Sequence, residues 1–490
     1  MTVKHVLLLS LNWGDSDEMG AMTHQAMGLP LEFVYMATEL AKRNVDHEFI
    51  DCWVHKYSMQ DIRAQLLRAH VVVLCSSPSY VFWRDGVINI RLVTQSTEAI
   101  KKINPAIVTI LVGPHGTVVP EGFNGGAIDY LFKGEPDQNV PQLIANLFAE
   151  VPSGDALPGV VKQRDGRFEG APGGTQVDDL DALAPINLSK FNIADYPHPP
   201  KYGPVPAGKL AMLYETSRGC PYSCIYCFKV NFRDKFRVKS LQHIETELKD
   251  LAARDVGYVY LIDEIFFKDR AWSTAVMKLL KQYGIRFGCQ TRPVLVTKDM
   301  VDAIVEYGMA GLIQIGLEHT DAEVLKTMRK GDTNLQSLGE SLHRLANANV
   351  ALDLFLVTGL PGDTREKILG MSDVFETFPM THINVISHSA MPLPGTRLWE
   401  MGKEQGHDLT TWDDVSKKKG MIGTKFANPE ELEQAAFQLT GRLRVIADRQ
   451  NIRAGARGYA NYLRLAKHKL DSAFPRIMKA VTSMKMKLSH

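Results

Sequence analysis

The sequence predicts an α/β protein with two separate parallel sheets. Short apolar runs alternate with amphipathic helical stretches over residues 1–150, and the alternation resumes after residue 210. Between them, residues 151–210 are rich in Pro, Gly and Asp and read as a wrapping linker, with one hairpin expected in "GVVKQRDGRFEG" around Asp165 and Gly166. In the first part, "KHVLLLSL", "HEFIDCW", "HVVVLCSS", "AIVTILVGP" and "AIDYLFKG" are five strands, with helix-like "LPLEFVYMATELAKRN" and "PDQNVPQLIANLFAE" among the intervening segments. Five strands with helices on both faces suit a flavodoxin-like doubly wound domain, which binds ligands beyond the carboxyl ends of its strands. The loops there are "SLNWGD", "CSSPSY", "VGPHGTVVPEG" and "KGEPD"; they suit a small-molecule crevice or are simple turns. Over residues 211–400, "AMLYETS", "GYVYLID", "RFGCQT", "GLIQIGL", "VALDLFLV" and "INVISH" give six strand and helix units, a partial (βα)6 barrel rather than a closed eightfold one. Residues 401–490 read as a helical C-terminal region.

The chain has 490 residues, 45% hydrophobic and 23% charged, with a formal net charge of +1. That balance is ordinary for a globular protein and gives no electrostatic reason to bind nucleic acid. The longest apolar runs fall short of the ~20 residues that span a bilayer, and no small-residue cleavage site follows the N-terminal run, so a cytoplasmic protein is expected. The basic, Met-bearing end "PRIMKAVTSMKMKLSH" could touch an anionic membrane surface or be a solvated helix.

Of six cysteines, Cys52, Cys75 and Cys289 stand alone in apolar runs and read as buried thiols. Cys220, Cys224 and Cys227 crowd one loop, "TSRGCPYSCIYCFKV", just after the first barrel strand. A structural zinc site closes with four ligands, usually two pairs, and no second pair exists. An iron–sulfur cluster held by three thiolates keeps one iron open, and that iron can take a bound cofactor and drive one-electron chemistry.

The spacing CxxxCxxC within "SRGCPYSCIYCF" resembles the radical S-adenosylmethionine superfamily. "LIDEIFFKD", "IQIGLEHTDAEVLKTMRKGDT", "LVTGLPGDT" and "PLPGTRLWE" resemble its later barrel segments. "GLPLEFVYMATELAKRNVDHEFIDC", "LVGPHGTVVPEGF" and "IDYLFKGEPDQNV" resemble the cobalamin-binding domain fused ahead of many such enzymes, so the two resemblances cover residues 1–400. They imply a [4Fe-4S] cluster on Cys220, Cys224 and Cys227, S-adenosylmethionine chelated by the fourth iron and cleaved to the 5'-deoxyadenosyl radical, and cobalamin in the first domain. The cobalamin signature DxHxxG is absent, since Asp51 is followed by Cys-Trp-Val-His. That departure implies cobalt without a protein histidine beneath it, or a domain that no longer binds cobalamin.

The resemblance places Tyr226 beside the adenine. Asp263 and Glu264 are candidates to hold the cofactor ammonium or ribose hydroxyls, with helix N-capping as the rival reading. Arg292 and Glu318 lie at strand ends facing the expected cavity, as cofactor contacts or as ion-pair partners. Ser76, Ser77, Gly113, Gly116, Gly134 and Glu135 would line the cobalamin crevice, with His115 as a wall residue and not a cobalt ligand. The expected activity is methylation of an unactivated carbon or phosphorus centre of a small molecule, with an external one-electron donor such as flavodoxin or ferredoxin. The alternative keeps this architecture without methylation, as a radical cyclase, dehydratase or rearrangement enzyme.

Overall fold

The computed structural model describes residues 4–13, 28–77, 90–168, 174–196, 203–228, 233–410 and 420–454. The first sheet holds β1 (His5–Ser10), β2 (Asp46–Asp51), β3 (Val71–Cys75), β4 (Val108–Val112) and β5 (Tyr130–Phe132), in the order β2-β1-β3-β4-β5 and all parallel. That is the flavodoxin-like order. β1 and β3 are buried at every position because helices cover both faces, which is why they read as continuous apolar runs. Helix Leu31–Lys42 supplies Phe33, Val34, Met36 and Leu40 to one face. Helix Ile90–Ile103 supplies Val93, Ile100 and Ile103.

The expected hairpin is described up to Phe168, and its last two residues lie outside the described residues. Asp165 and Gly166 do turn with positive φ (48° and 74°), and β6 (Val160–Lys162) pairs antiparallel with β5. Among the described residues the return arm makes one bridge, Arg164 to Arg167; Phe168 is buried in the core and its N–H donates to Asn124 Oδ1 at 2.8 Å.

The second sheet runs β7 (Leu210–Tyr214), β10 (Val256–Leu261), β11 (Arg286–Thr291), β12 (Ala310–Glu318), β13 (Ala351–Thr358) and β14 (Ile383–Ser389) in spatial sequence, all parallel. It is the six-stranded open barrel that the strand count predicts. Each crossover helix starts on a side-chain cap, from Ser240, Asp269, Thr297, Asn334 and Thr364 in turn. Between β7 and the first of these helices, two-residue strands β8 (Ser217–Arg218) and β9 (Arg237–Val238) pair antiparallel and cinch the base of the cysteine loop.

Helix Pro429–Ala454 lays Leu432, Ala435, Leu439, Leu443 and Ile446 against the body of the protein and packs on helix Arg365–Phe375. One apolar core runs without interruption from β1 to Ile446, through both sheets. Among the described residues no helix is long and apolar enough to cross a membrane. The basic end, residues 475–490, lies outside the described residues.

Candidate functional site

Cys220, Cys224 and Cys227 sit beyond the carboxyl end of β7, none of them in a disulfide, with Cys224 buried. The loop's entry needs glycine. Gly219 has φ +84°, and a Cβ there would lie 1.9 Å from the Lys235 carbonyl oxygen. Backbone bonds close the loop on itself: Cys220 N–H donates to Arg233 O, and Cys227 N–H to Cys224 O, both at 3.1 Å. Its far end is anchored apolarly, with Ile225 and Phe228 packed among Met328, Leu360, Leu393, Leu398 and Trp399.

The acids at the end of β10 brace this loop. Asp263 accepts from Thr216 N–H (2.9 Å), Thr216 Oγ1 (2.6 Å) and Ser217 Oγ (2.5 Å), and burial raises its carboxyl to about 7. Glu264 accepts from Gly219 N–H and from Arg233 Nη1, each at 2.8 Å. In this structure the oxygens of both acids are hydrogen-bonded to the loop, and the side chain that caps the following helix is Asp269.

Arg292 lies against the cluster loop. Its Nη1 is 3.4 Å from Cys224 Sγ, its carbon centre lies 4.2 Å from the Tyr222 ring centroid, and Nη2 is held by Arg329 O (3.0 Å) and Asp332 Oδ1 (2.5 Å). The guanidinium thus places a fixed positive charge beside the sulfur that would carry negative charge as an iron ligand. Glu318 ends β12 with φ +68°, a strained conformation for a non-glycine residue. Lys330 Nζ pins it at 2.9 Å and also donates to Gly316 O at 2.7 Å. A side chain at Gly316 would strike Glu318 Oε1 at 2.5 Å, so that glycine makes room for the carboxylate. The Tyr226 hydroxyl donates to Glu318, and burial followed by the Glu318 charge pushes the phenol far up, so it stays protonated.

The donor set fits an iron–sulfur cluster with a polar ligand beside it. Three cysteines outside any disulfide share one loop, and Thr291 Oγ1, Arg292 Nε and Thr333 Oγ1 are buried without a hydrogen-bond partner. Buried polar atoms left unpaired in this way are groups that a bound molecule can satisfy.

In the first sheet, Ser76, Ser77, Gly113 and His115 converge beyond β3 and β4. Ser76 Oγ contacts His115 Nδ1 at 3.1 Å, and a Cβ on Gly113 (φ +114°) would meet that Oγ at 2.5 Å. Burial drops His115 to about 3, so the ring is neutral, and it stacks on Phe228 with centroids 6.4 Å apart. The crevice end of the first sheet therefore touches the cysteine loop directly.

Three other crevice candidates do not join this group. Gly116 abuts the Leu131 side chain, and Gly134 makes room for the Thr175 backbone, whose oxygen a Cβ would meet at 2.1 Å. Glu135 is enclosed by Arg233 Nε (3.1 Å) and by Arg237 Nη1 and Nη2 (2.8 and 2.9 Å). Burial acts to raise its carboxyl, but Arg218, Arg237 and Arg233 outweigh it and hold the group at about 2. The sequence reading missed these arginines, together with Asp137, Glu215 and Lys330. Arg218, Asp137, Glu215 and Lys330 lie inside the segments "TSRGCPYSCIYCFKV", "KGEPD", "AMLYETS" and "KTMRKGDT", but nothing local in those segments marks them as ion-pair partners.

Residues 214–374 match the Radical SAM superfamily family model. The chain is 23% identical over 355 residues to the anaerobic magnesium-protoporphyrin IX monomethyl ester cyclase of Rubrivivax gelatinosus; the match covers 69% of this chain and 60% of that protein's length. In fold it is similar to the radical S-adenosylmethionine methyltransferase TsrM from Kitasatospora setae, solved with cobalamin and a [4Fe-4S] cluster bound (TM-score 0.67, 14% identity, 84% of this chain and 80% of that one). It is equally similar to the cobalamin-dependent S-adenosylmethionine radical enzyme OxsB, solved with aqua-cobalamin bound (TM-score 0.68, 15% identity, 96% and 72%). The three-cysteine loop, the open six-stranded barrel and these matches make residues 214–374 a radical SAM domain, in a chain that shares the overall fold of cobalamin-dependent radical SAM enzymes.

Proposed function

We propose that the protein is a cobalamin-dependent radical S-adenosylmethionine methyltransferase acting on an unactivated carbon or phosphorus centre of a small molecule. In this reading residues 1–150 form the cobalamin-binding unit, 151–210 the linker, 211–400 the radical barrel and 401–490 the helical end. The observation that carries it is the direct contact between the two halves: His115, in the crevice of the first sheet, stacks on Phe228, one residue after Cys227.

Cys220, Cys224 and Cys227 hold the cluster by their thiolates, and Arg292 stabilises the charge on Cys224. Glu318, held in place by Lys330, and Tyr226 would orient the bound S-adenosylmethionine. Asp263 and Glu264 keep the cysteine loop from yielding. Ser76, Ser77, Gly113 and the neutral His115 would line the crevice that holds cobalamin. When bound, the cluster, S-adenosylmethionine and cobalamin would supply an electron, a carbon-centred radical and a transferable methyl group. The barrel walls position the substrate and exclude water from it. An external one-electron donor completes the cycle.

The test is anaerobic reconstitution with iron, sulfide and hydroxocobalamin, followed by addition of reductant and S-adenosylmethionine. Retention of the corrinoid spectrum together with S-adenosylhomocysteine formation supports the reading. Formation of 5'-deoxyadenosine with no corrinoid retained refutes the methyl-transfer assignment.

A further inference from the structure

The antiparallel pair β8/β9 sets Arg218 opposite Arg237 at the base of the cysteine loop, and Arg233 lies a short way before β9. All three guanidiniums reach across to the segment that follows β5 of the first sheet. Arg218 forks onto Asp137 at 2.7 and 3.1 Å, and its Nε takes Glu215 at 2.7 Å. Arg237 forks onto Glu135, and Arg233 bridges Glu135, Glu215 and Glu264. The side chains of Arg218, Glu135, Asp137 and Glu215 are 0% exposed.

Adhesion alone does not call for this lattice. Apolar side chains of similar volume hold two sheets together at least as well as buried charges do. Forked guanidinium–carboxylate pairs add fixed distance and angle. The lattice is also tied to one cluster ligand, because the Arg233 carbonyl accepts from Cys220 N–H while the Arg233 guanidinium holds the Glu264 that anchors Gly219. At the other end of the loop, Phe228 rests on His115. The loop is thus fastened to the first sheet at two points, one at its base and one next to Cys227.

We propose that Glu135, acting through Arg233 and Arg237, is a positioning residue that fixes the spacing between the cluster loop and the crevice beyond β3 and β4. What the spacing serves rests on the methyltransferase reading; the mechanical coupling does not.

The test compares the wild-type chain, reconstituted with its cluster, with Arg237→Lys, which keeps the charge and loses the fork, and Glu135→Asp, which keeps the charge and shortens the reach. In either variant, amide hydrogen exchange is expected to rise at least about five-fold in both segments 133–138 and 215–220, with β12 to β14 unchanged. Iron content is expected to stay at the wild-type level. With bound cob(II)alamin, the microwave-power saturation of its EPR signal, which reports distance to the reduced cluster, is expected to differ from wild type. Exchange that rises on one side only, or on neither, overturns the proposal, as does identical power saturation in variant and wild type. Failure of the wild-type protein to bind corrinoid refutes the methyltransferase reading, while the exchange experiment still decides the coupling.

Discussion

Gly219→Ala probes the entrance to the cysteine loop, and the molecule contains its own control. At Gly208 the backbone has φ +72° and a Cβ would find nothing within 4 Å, so Gly208→Ala costs only the left-handed conformation, about 1–2 kcal/mol. At Gly219 the same conformational cost applies, and the new Cβ would also lie 1.9 Å from Lys235 O and 3.1 Å from Arg233 O. Relief requires the β8/β9 base to open by roughly 1 Å or more, since ordinary carbon–oxygen contact begins well beyond 3 Å. That movement breaks the Cys220 N–H bond to Arg233 O and the Gly219 N–H bond to Glu264, worth about 1 kcal/mol and about 1.5–3 kcal/mol respectively. The sum, on the order of 3.5–6 kcal/mol, falls on the loop rather than on either sheet. The assay is iron and acid-labile sulfide per chain after anaerobic reconstitution, with thermal unfolding recorded alongside. Gly208→Ala should load like wild type. Gly219→Ala should lose most of its iron while its unfolding midpoint stays close to that of the control, and wild-type iron content in Gly219→Ala would refute the reasoning.

Asp263 binds a proton more tightly in the folded protein than in the unfolded chain, so its contribution is fully present below pH 4 and is lost as pH rises through about 7. Between pH 6 and pH 8 the loss is about 1.4 kcal/mol, and Asp263→Asn, which mimics the protonated form, should flatten that part of a urea-denaturation pH series; an unchanged slope contradicts the assignment. Arg292→Met removes the cation beside Cys224 Sγ, so the cluster should become harder to reduce, read as a more negative midpoint in a redox titration; an unmoved midpoint sinks the claim. Glu318→Gln should keep its iron but raise the KM for S-adenosylmethionine about ten-fold, equivalent to losing roughly 1.4 kcal/mol of binding, and an unchanged KM removes Glu318 from the cofactor site.

The first sheet was legible because parallel strands covered on both faces are buried along their length and read as near-continuous apolar runs, as in "HVLLLS" and "VVVLC". The cysteines were legible because a loop writes its ligand spacing into the sequence. The acids were not. Glu135 finds Arg233 and Arg237 at sequence separations of 98 and 102 residues, and no local pattern records that meeting. Asp263 and Glu264 sit at the carboxyl end of a barrel strand, where a cofactor contact and a loop brace have the same one-dimensional signature. Gly116 and Gly134 show a related ambiguity: glycine signals that something approaches closely, but the neighbours here are Leu131 and the Thr175 backbone. The reversal at Asp165 and Gly166 was legible because both residues take positive φ, which turn residues favour.

The central claim is that three thiolates leave one iron free to hold and cleave a sulfonium nucleotide. Its most direct test is mass-spectrometric detection of 5'-deoxyadenosine after the anaerobically reconstituted chain is reduced with dithionite and given S-adenosylmethionine, alongside serine variants of Cys220, Cys224 and Cys227. The account predicts deoxyadenosine from the wild-type protein and none from any of the three variants. Purified protein that holds zinc in place of iron and sulfide, or undiminished deoxyadenosine after loss of one of these thiols, would contradict it.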